Sequence, residues 1–119
     1  MNVEHIKKGW GEEVIFANNK NYCGKLLVFD KKGSCGSMHY HMIKDETWYV
    51  QKGKFMVSFI DTRTATVNEL VLKEGDVWHN PPGFPHCLAA MEDESIVFEV
   101  STEDNSTDNY RVFKGDSQK

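Results

Sequence analysis

GSCGSMHYHMIKDETWYVQKG, residues 33–53, carries two histidines two positions apart, His39 and His41, then a carboxylate at Glu46 and a glycine at Gly53. Side chains alternate faces along a β-strand, so His39 and His41 share a face if this segment is extended, and Tyr40 points to the other. A short turn over Met42–Asp45 leads to a second strand, Glu46–Gln51 (ETWYVQ). Antiparallel pairing of the two strands would bring Glu46 to the imidazoles. A third imidazole, His86, arrives later in PPGFPHC, residues 81–87. Three imidazoles and one carboxylate form a mixed nitrogen and oxygen donor set. It suits one divalent transition metal (Zn, Fe, Mn, Ni or Cu) and not calcium, which takes oxygens. Four protein donors also leave open coordination positions, as catalytic sites require. The His-x-His pair alone is weak, since such a pair can sit on a solvated face. The glycine–proline segment around His86 strengthens it.

The rest of the chain reads as short strands between turn signals. Val14–Phe16, Tyr22–Phe29, Phe55–Ile60, Val67–Leu72, residues 86–90 and 95–101, and Tyr110–Phe113 are strand candidates, while Val77–Asn80 leads into Pro81-Pro82-Gly83. Phe55, Val57 and Phe59 alternate onto one face, which marks core. Asn18–Asn21, Asp30–Gly33, Asp61–Thr64, Lys73–Asp76 and Glu92–Glu94 read as turns. Residues 1–13 are polar and read as the frame of a barrel entrance or a subunit contact. Ser101–Asn109 reads as a polar loop and the closing GDSQK as a frayed end. No segment has the period of an amphipathic helix, so the class is all-β, sandwich or barrel.

A chain of 119 residues fits one domain. The net charge of −4 argues against a nucleic-acid partner, which calls for a basic face. No apolar run is long enough to span a bilayer, and the first residues lack the apolar stretch of a signal peptide. A cytoplasmic, reducing setting follows. Cys23, Cys35 and Cys87 are odd in number, distant in sequence and outside any Cys-x-x-Cys motif, so they read as free thiols. Cys35 and Cys87 flank the candidate ligands, which leaves room for one as an extra donor.

At this point the residues resemble a known family. Gly33–Gly53 fits the first cupin motif, G-x5-H-x-H-x4-E-x6-G, at every defined position. Gly75, Pro81, Gly83 and His86 fit the second, G-x5-P-x-G-x2-H-x3-N, with Ala90 in place of its final Asn. The resemblance implies a double-stranded β-helix, or jelly-roll barrel, filling residues 1–119, with motif 1 at 33–53 and motif 2 at 75–90. The polar loop, short strand and tail over 101–119 follow. It also implies a metal on His39, His41, Glu46 and His86, with Pro81 and Pro85 stiffening the turn that aims His86 inward. Within that superfamily the chain is most similar to type II mannose-6-phosphate isomerase domains. Trp10-Gly11, Glu46-Thr47-Trp48 and Asp108–Val112 carry this likeness. His39 and Cys87 depart from it: that family has Gln and Arg there.

The implied reaction is aldose–ketose isomerisation of a sugar phosphate or related small carbohydrate. It needs a proton shuttle, for which His79 is the candidate, and a cationic clamp for phosphate. Arg111 matches the family tail, while Arg63 lies in a hairpin turn. Lys25, Tyr40 and Trp48 are further substrate-binding candidates, with a surface-snorkelling Lys25 and core packing for Trp48 or Trp78 as the simpler roles. Two alternatives stand beside this one. The same donors could hold iron or copper for a dioxygenase, or the barrel could bind a sugar or small acid without turnover. By analogy with small cupins, a homodimer is expected.

Overall fold

A computed structural model describes residues 2–119. The described chain is built almost wholly from antiparallel strands in two facing sheets. The strands are β1 (Glu4–Lys8), β2 (Gly11–Asn18), β3 (Cys23–Phe29), β4 (Met38–Tyr40), β5 (Glu46–Lys52) and β6 (Lys54–Asp61). They continue with β7 (Thr66–Lys73), β8 (Val77–Asn80), β9 (His86–Ala90), β10 (Ser95–Ser101) and β11 (Tyr110–Phe113). One sheet runs β1-β2-β3-β10-β5-β8 and the other β11-β4-β9-β6-β7. This is the jelly roll. No helix of the described residues is long and apolar enough to cross a membrane.

Period-two alternation positions the site. On β3 the inward residues are Lys25, Leu27 and Phe29; on β5, Glu46, Trp48 and Val50; on β9, His86, Leu88 and Ala90; on β10, Ser95, Val97 and Glu99. At one end of the barrel these faces are largely apolar, and at the other each ends in a charged or imidazole group. Phe29 stacks on Trp10 at 4.3 Å and meets Phe55 edge-on at 5.1 Å, closing the apolar end. Truncating a fully buried Phe such as Phe55 costs about 3–5 kcal/mol, so this end anchors the barrel. The opposite end opens into a cavity of about 310 Å³ lined by the polar termini.

Four expectations change. First, β4 and β5 are not hairpin partners. Residues 41–45 carry the chain from one sheet to the other, and Glu46 faces His39 and His86 across the barrel. Asp108 makes this crossing possible. Its carboxylate accepts the backbone N–H groups of Met42 (2.8 Å), Ile43 (3.2 Å) and Lys44 (2.9 Å), which no strand partner serves. Burial opposes its charge, but those amides hold the carboxyl below the usual range. Asp108→Ala is expected to destabilise the fold by about 1–3 kcal/mol in urea titration, chiefly the cost of leaving the buried Lys44 N–H unserved. A change within error would show that water replaces the carboxylate.

Second, the polar N-terminal stretch contains a full edge strand, β1, paired with β2 from Glu4 opposite Ile15 to Lys8 opposite Gly11. Its Ile6 and Lys8 line the cavity, so the entrance reading of this stretch matches while its strand went unread. Third, His41 lies just beyond β4, not within it. Fourth, the closing residues are docked. Asp116 accepts the Cys35 N–H at 2.7 Å and donates its own to the Cys35 carbonyl at 2.9 Å, while Ser117 accepts the Gly9 N–H at 3.0 Å. Gly115 is buried against the Gly36 backbone, where any Cβ would collide.

Candidate metal centre

His39 lies on β4 directly opposite His86 on β9, and the cross-strand register brings their rings to 4.8 Å. His41 completes the group at 5.1 Å from His39 and 5.9 Å from His86, centroid to centroid. One nitrogen from each ring lies within 4.8 Å of the other two. The Nδ1 atoms are all engaged on backbone carbonyls: His39 with Ser37 at 3.0 Å, His41 with Asp108 at 2.5 Å and His86 with Phe84 at 2.8 Å. A carbonyl only accepts, so each Nδ1 carries the hydrogen and each Nε2 keeps a lone pair. Carbonyl partners of this kind fix the orientation of metal-ligating imidazoles. The turn before β9 supports this arrangement. Gly83, with φ of 77°, donates its N–H to the His41 carbonyl at 2.6 Å and so ties the His86 loop to the His41 loop.

Burial depresses His39 to about 3, with the neighbouring His86 and His41 adding to the effect. His41 is lowered too, by burial first, partly offset by the Asp108 carbonyl. Both rings are therefore neutral at pH 7 and able to donate lone pairs. The buried Nε2 of His86 has no hydrogen-bond partner, although it stands 2.9 Å from Oε1 of Glu46. The contact is close but misdirected for a hydrogen bond. A lone pair facing a carboxylate oxygen at that range is repulsive unless a cation lies within reach of both, and this is the fit expected of a metal centre. Glu46 stands outside the tight three-histidine group and touches only its His86 edge. Asn80 donates to its Oε1 at 3.2 Å, and Lys44 Nζ lies 3.3 Å from Oε2. Burial opposes the charge of Glu46, but the Lys44 ammonium beside it helps to hold its carboxyl below the usual range.

Behind Glu46 lies a charge network that the linear chain does not announce. Lys44 reaches Glu99 at 2.7 Å and Asp104 at 3.0 Å; Lys25 reaches Glu13 at 2.6 Å, Asp104 at 3.3 Å and Glu99 at 4.0 Å. Both lysines are buried. Burial works against their charge, yet Glu99 and the other carboxylates raise both above the ordinary lysine value. Glu99 is pushed up to about 7, by burial first and then by the charge of Glu46. Lys25 and Glu99 sit at inward parity beside Leu27 and Val97, so strand alternation carried a signal for both. Lys44 lies in the sheet crossing, where no period exists.

The other candidates separate cleanly. Trp48 lines the cavity, edge-on to His86 at 5.2 Å, with Nε1 3.4 Å from Glu99. Arg111 lines it as well, carried in by its register opposite His39. Lys25 lines it but is spent on three carboxylates, and is no surface residue. Tyr40 is no cavity residue: it stacks on Tyr110 at 5.3 Å on the outer face, as its parity opposite His39 requires. His79 points outward on β8, exposed and bonded to Asp45 at 2.6 Å, away from the cavity. Arg63 is an exposed turn residue paired with Asp61, and Trp78 packs on Phe59 and Phe84. The cysteine sulfurs are not donors to this centre, since Cys87 alternates away from His86 and no cysteine lines the cavity.

A pH dependence follows for the metal-free protein. An unfolded His titrates near 6.5, so between about pH 3 and 6.5 the unfolded chain takes up a proton at His39 that the fold resists, and the lowered His41 acts in the same direction. Stability therefore rises with pH across that window. Glu99 opposes this, because its raised value makes the fold hold a proton between about 4.5 and 7 that the unfolded chain has lost. His39 offsets Glu99 across this window, and His41 adds to the His39 side. The urea midpoint is expected to fall from pH 6.5 to 4.5, and Glu99→Gln should steepen the fall. A midpoint that rises on acidification would contradict these assignments.

The cupin family profile matches residues 11–117. Oxalate decarboxylase OxdC of Bacillus subtilis is 33% identical over 82 residues, which is 65% of this chain and 20% of that longer protein. A structure of the same enzyme superposes with a TM-score of 0.81 at 18% identity, over 93% of this chain and 30% of the other. Another structure of that enzyme is described through its Mn(II) centres. KdgF from Halomonas sp. superposes with a TM-score of 0.74 at 21% identity, over 90% of both chains. The chain thus spans about a fifth of the curated relative it matches. With the two-sheet barrel and the inward histidines in place, and the profile covering nearly its whole length, the chain belongs to the cupin family.

Proposed function

We propose that the chain is a metal-dependent enzyme that performs proton-transfer chemistry on a small, oxygen-rich anion. A sugar phosphate undergoing aldose–ketose isomerisation is the first substrate class. His39, His41 and His86 hold one divalent transition metal, with Glu46 as the fourth donor. The observation that carries this reading is the set of three imidazoles whose Nδ1 atoms are bonded to carbonyls, leaving Nε2 of His86 buried and without a partner. A divalent cation there supplies a Lewis acid that polarises a bound carbonyl or hydroxyl oxygen. Arg111 meets the anionic end of the substrate: among the described residues it is the cavity cation without a carboxylate partner. Glu99, in the cavity wall, takes the proton-shuttling role first considered for His79. Trp48 and Leu88 form the apolar wall that limits water.

A small organic acid is the second reading, favoured by the likeness to an oxalate decarboxylase. A cytoplasmic setting and a homodimer, in which the exposed Val67 and Val71 on the outer face of β7 offer an apolar contact, complete the proposal. The test is the full chain, loaded in turn with Mn(II), Fe(II) and Zn(II), given mannose 6-phosphate without O2. Fructose 6-phosphate should form and stop on chelation. Carbon dioxide released from oxalate would move the assignment to the second reading. Oxygen consumption would indicate a dioxygenase. Ligand-dependent melting shifts with no product from any substrate would indicate a binding module.

A further inference from the structure

Outside the metal centre, two thiols lie side by side. Cys35 bridges to Ala89 across the sheet, which places its side chain diagonally beside that of Cys87 on the face turned from the cavity. The two sulfurs are 3.6 Å apart, and each lies 3.1 Å from the same acceptor, the Gly36 carbonyl. Both residues are half-buried, so small reagents can reach them, while Cys23 is buried at 2% exposure. Disulfide formation requires the sulfurs to approach by about 1.5 Å. A Cys87 S–H directed at the Cys35 sulfur lowers Cys35 to about 7, while the same contact and burial raise Cys87, so Cys35 is the one suited to act as the attacking thiolate.

We propose that Cys35 and Cys87 form a dithiol site that low-molecular-weight disulfides of the glutathione class oxidise to an intramolecular disulfide. The Cys35 thiolate attacks one sulfur of the reagent, forming a mixed disulfide and expelling one thiolate, which takes up the proton that Cys35 released. The Cys87 sulfur then attacks the Cys35 sulfur, expelling the second reagent thiolate, which receives the Cys87 proton. The protein loses two hydrogens and two electrons, and one reagent disulfide becomes two thiols. The crosslink joins the segment that carries Ser37, the Nδ1 partner of His39, to the strand that carries His86. It therefore fastens together the supports of two of the three imidazoles.

The experiment uses the full chain incubated with oxidised or reduced glutathione, then alkylated with iodoacetamide in denaturant. After reduced glutathione, all three cysteines should be alkylated. After oxidised glutathione, Cys23 alone should be alkylated, the intact mass should be lower by about 2 Da before alkylation, and a peptide linked through Cys35 and Cys87 should appear. Dithiothreitol should reverse the change. Cys87→Ser should instead trap glutathione on Cys35, and Cys23→Ser should crosslink as the parent does. Three alkylated cysteines after oxidised glutathione would overturn the proposal. So would a link through Cys23 or between chains, or a Cys87→Ser protein that carries no adduct.

Discussion

His86→Ala is expected to abolish stoichiometric metal binding. His86 is the most deeply buried of the three imidazoles and the only one in contact with Glu46, so its loss removes one donor and separates the carboxylate from the remaining two. Loss of an outer-shell partner lowers metal affinity by about 10–100-fold, and loss of a donor should exceed that. Elemental analysis should find about one equivalent of a transition metal in the parent protein and a small fraction of one in the variant. A melting measurement gives a second readout. A ligand at 100 times its dissociation constant stabilises by about 2.7 kcal/mol, which is on the order of 10 °C for a chain of this size. Added metal should raise the melting temperature of the parent by about that amount and leave the variant unmoved. If His86→Ala kept a full equivalent and the parent's metal-dependent shift, the three-histidine centre would be wrong.

Lys44→Met should produce the largest loss of stability among substitutions away from the histidines. Lys44 Nζ contacts Glu46, Glu99 and Asp104, and its side chain and those of Glu46 and Glu99 are each only 3% exposed. Removing one partner from a buried ion pair costs about 3–5 kcal/mol, because the remaining charge keeps its desolvation penalty and loses its compensation. For this chain that corresponds to a melting temperature lower by roughly 10–20 °C. Glu99 can relieve part of the cost by protonating, since it already sits near 7. Hence Lys44→Met combined with Glu99→Gln should recover part of the loss, and the double-mutant cycle should show strong coupling. A Lys44→Met protein within about 1 kcal/mol of the parent would mean that the network is solvated and contributes little.

Much of the fold was legible because strand alternation is local. Phe55 and Val57 on β6, and His86 and Leu88 on β9, announce their faces within a few residues. Apart from β8, the strands from Cys23 to Ser101 lie close to where the pattern places them. β1 escaped because an edge strand with one half-buried apolar residue, Ile6, carries almost no apolar signal. The docked tail escaped because what holds it, Asp116 on the Cys35 backbone and Gly115 against Gly36, is polar and small and comes from distant parts of the chain.

The chain alone determined the residue types of the candidate centre and their spacing. His39, His41 and His86 are named by short motifs that need only parity and a glycine–proline turn. Their convergence, the position of Glu46 and the pairing of Lys25 and Lys44 depend on which strands face each other across the barrel. That is a property of the closed double sheet. Parity says which face a side chain takes, but not what stands opposite it. Only the tertiary structure decided that Glu46 approaches from the opposing sheet, that Tyr40 and His79 turn outward, and that Cys35 meets Cys87. Each of these contacts joins segments whose proximity is set by packing and not by sequence distance.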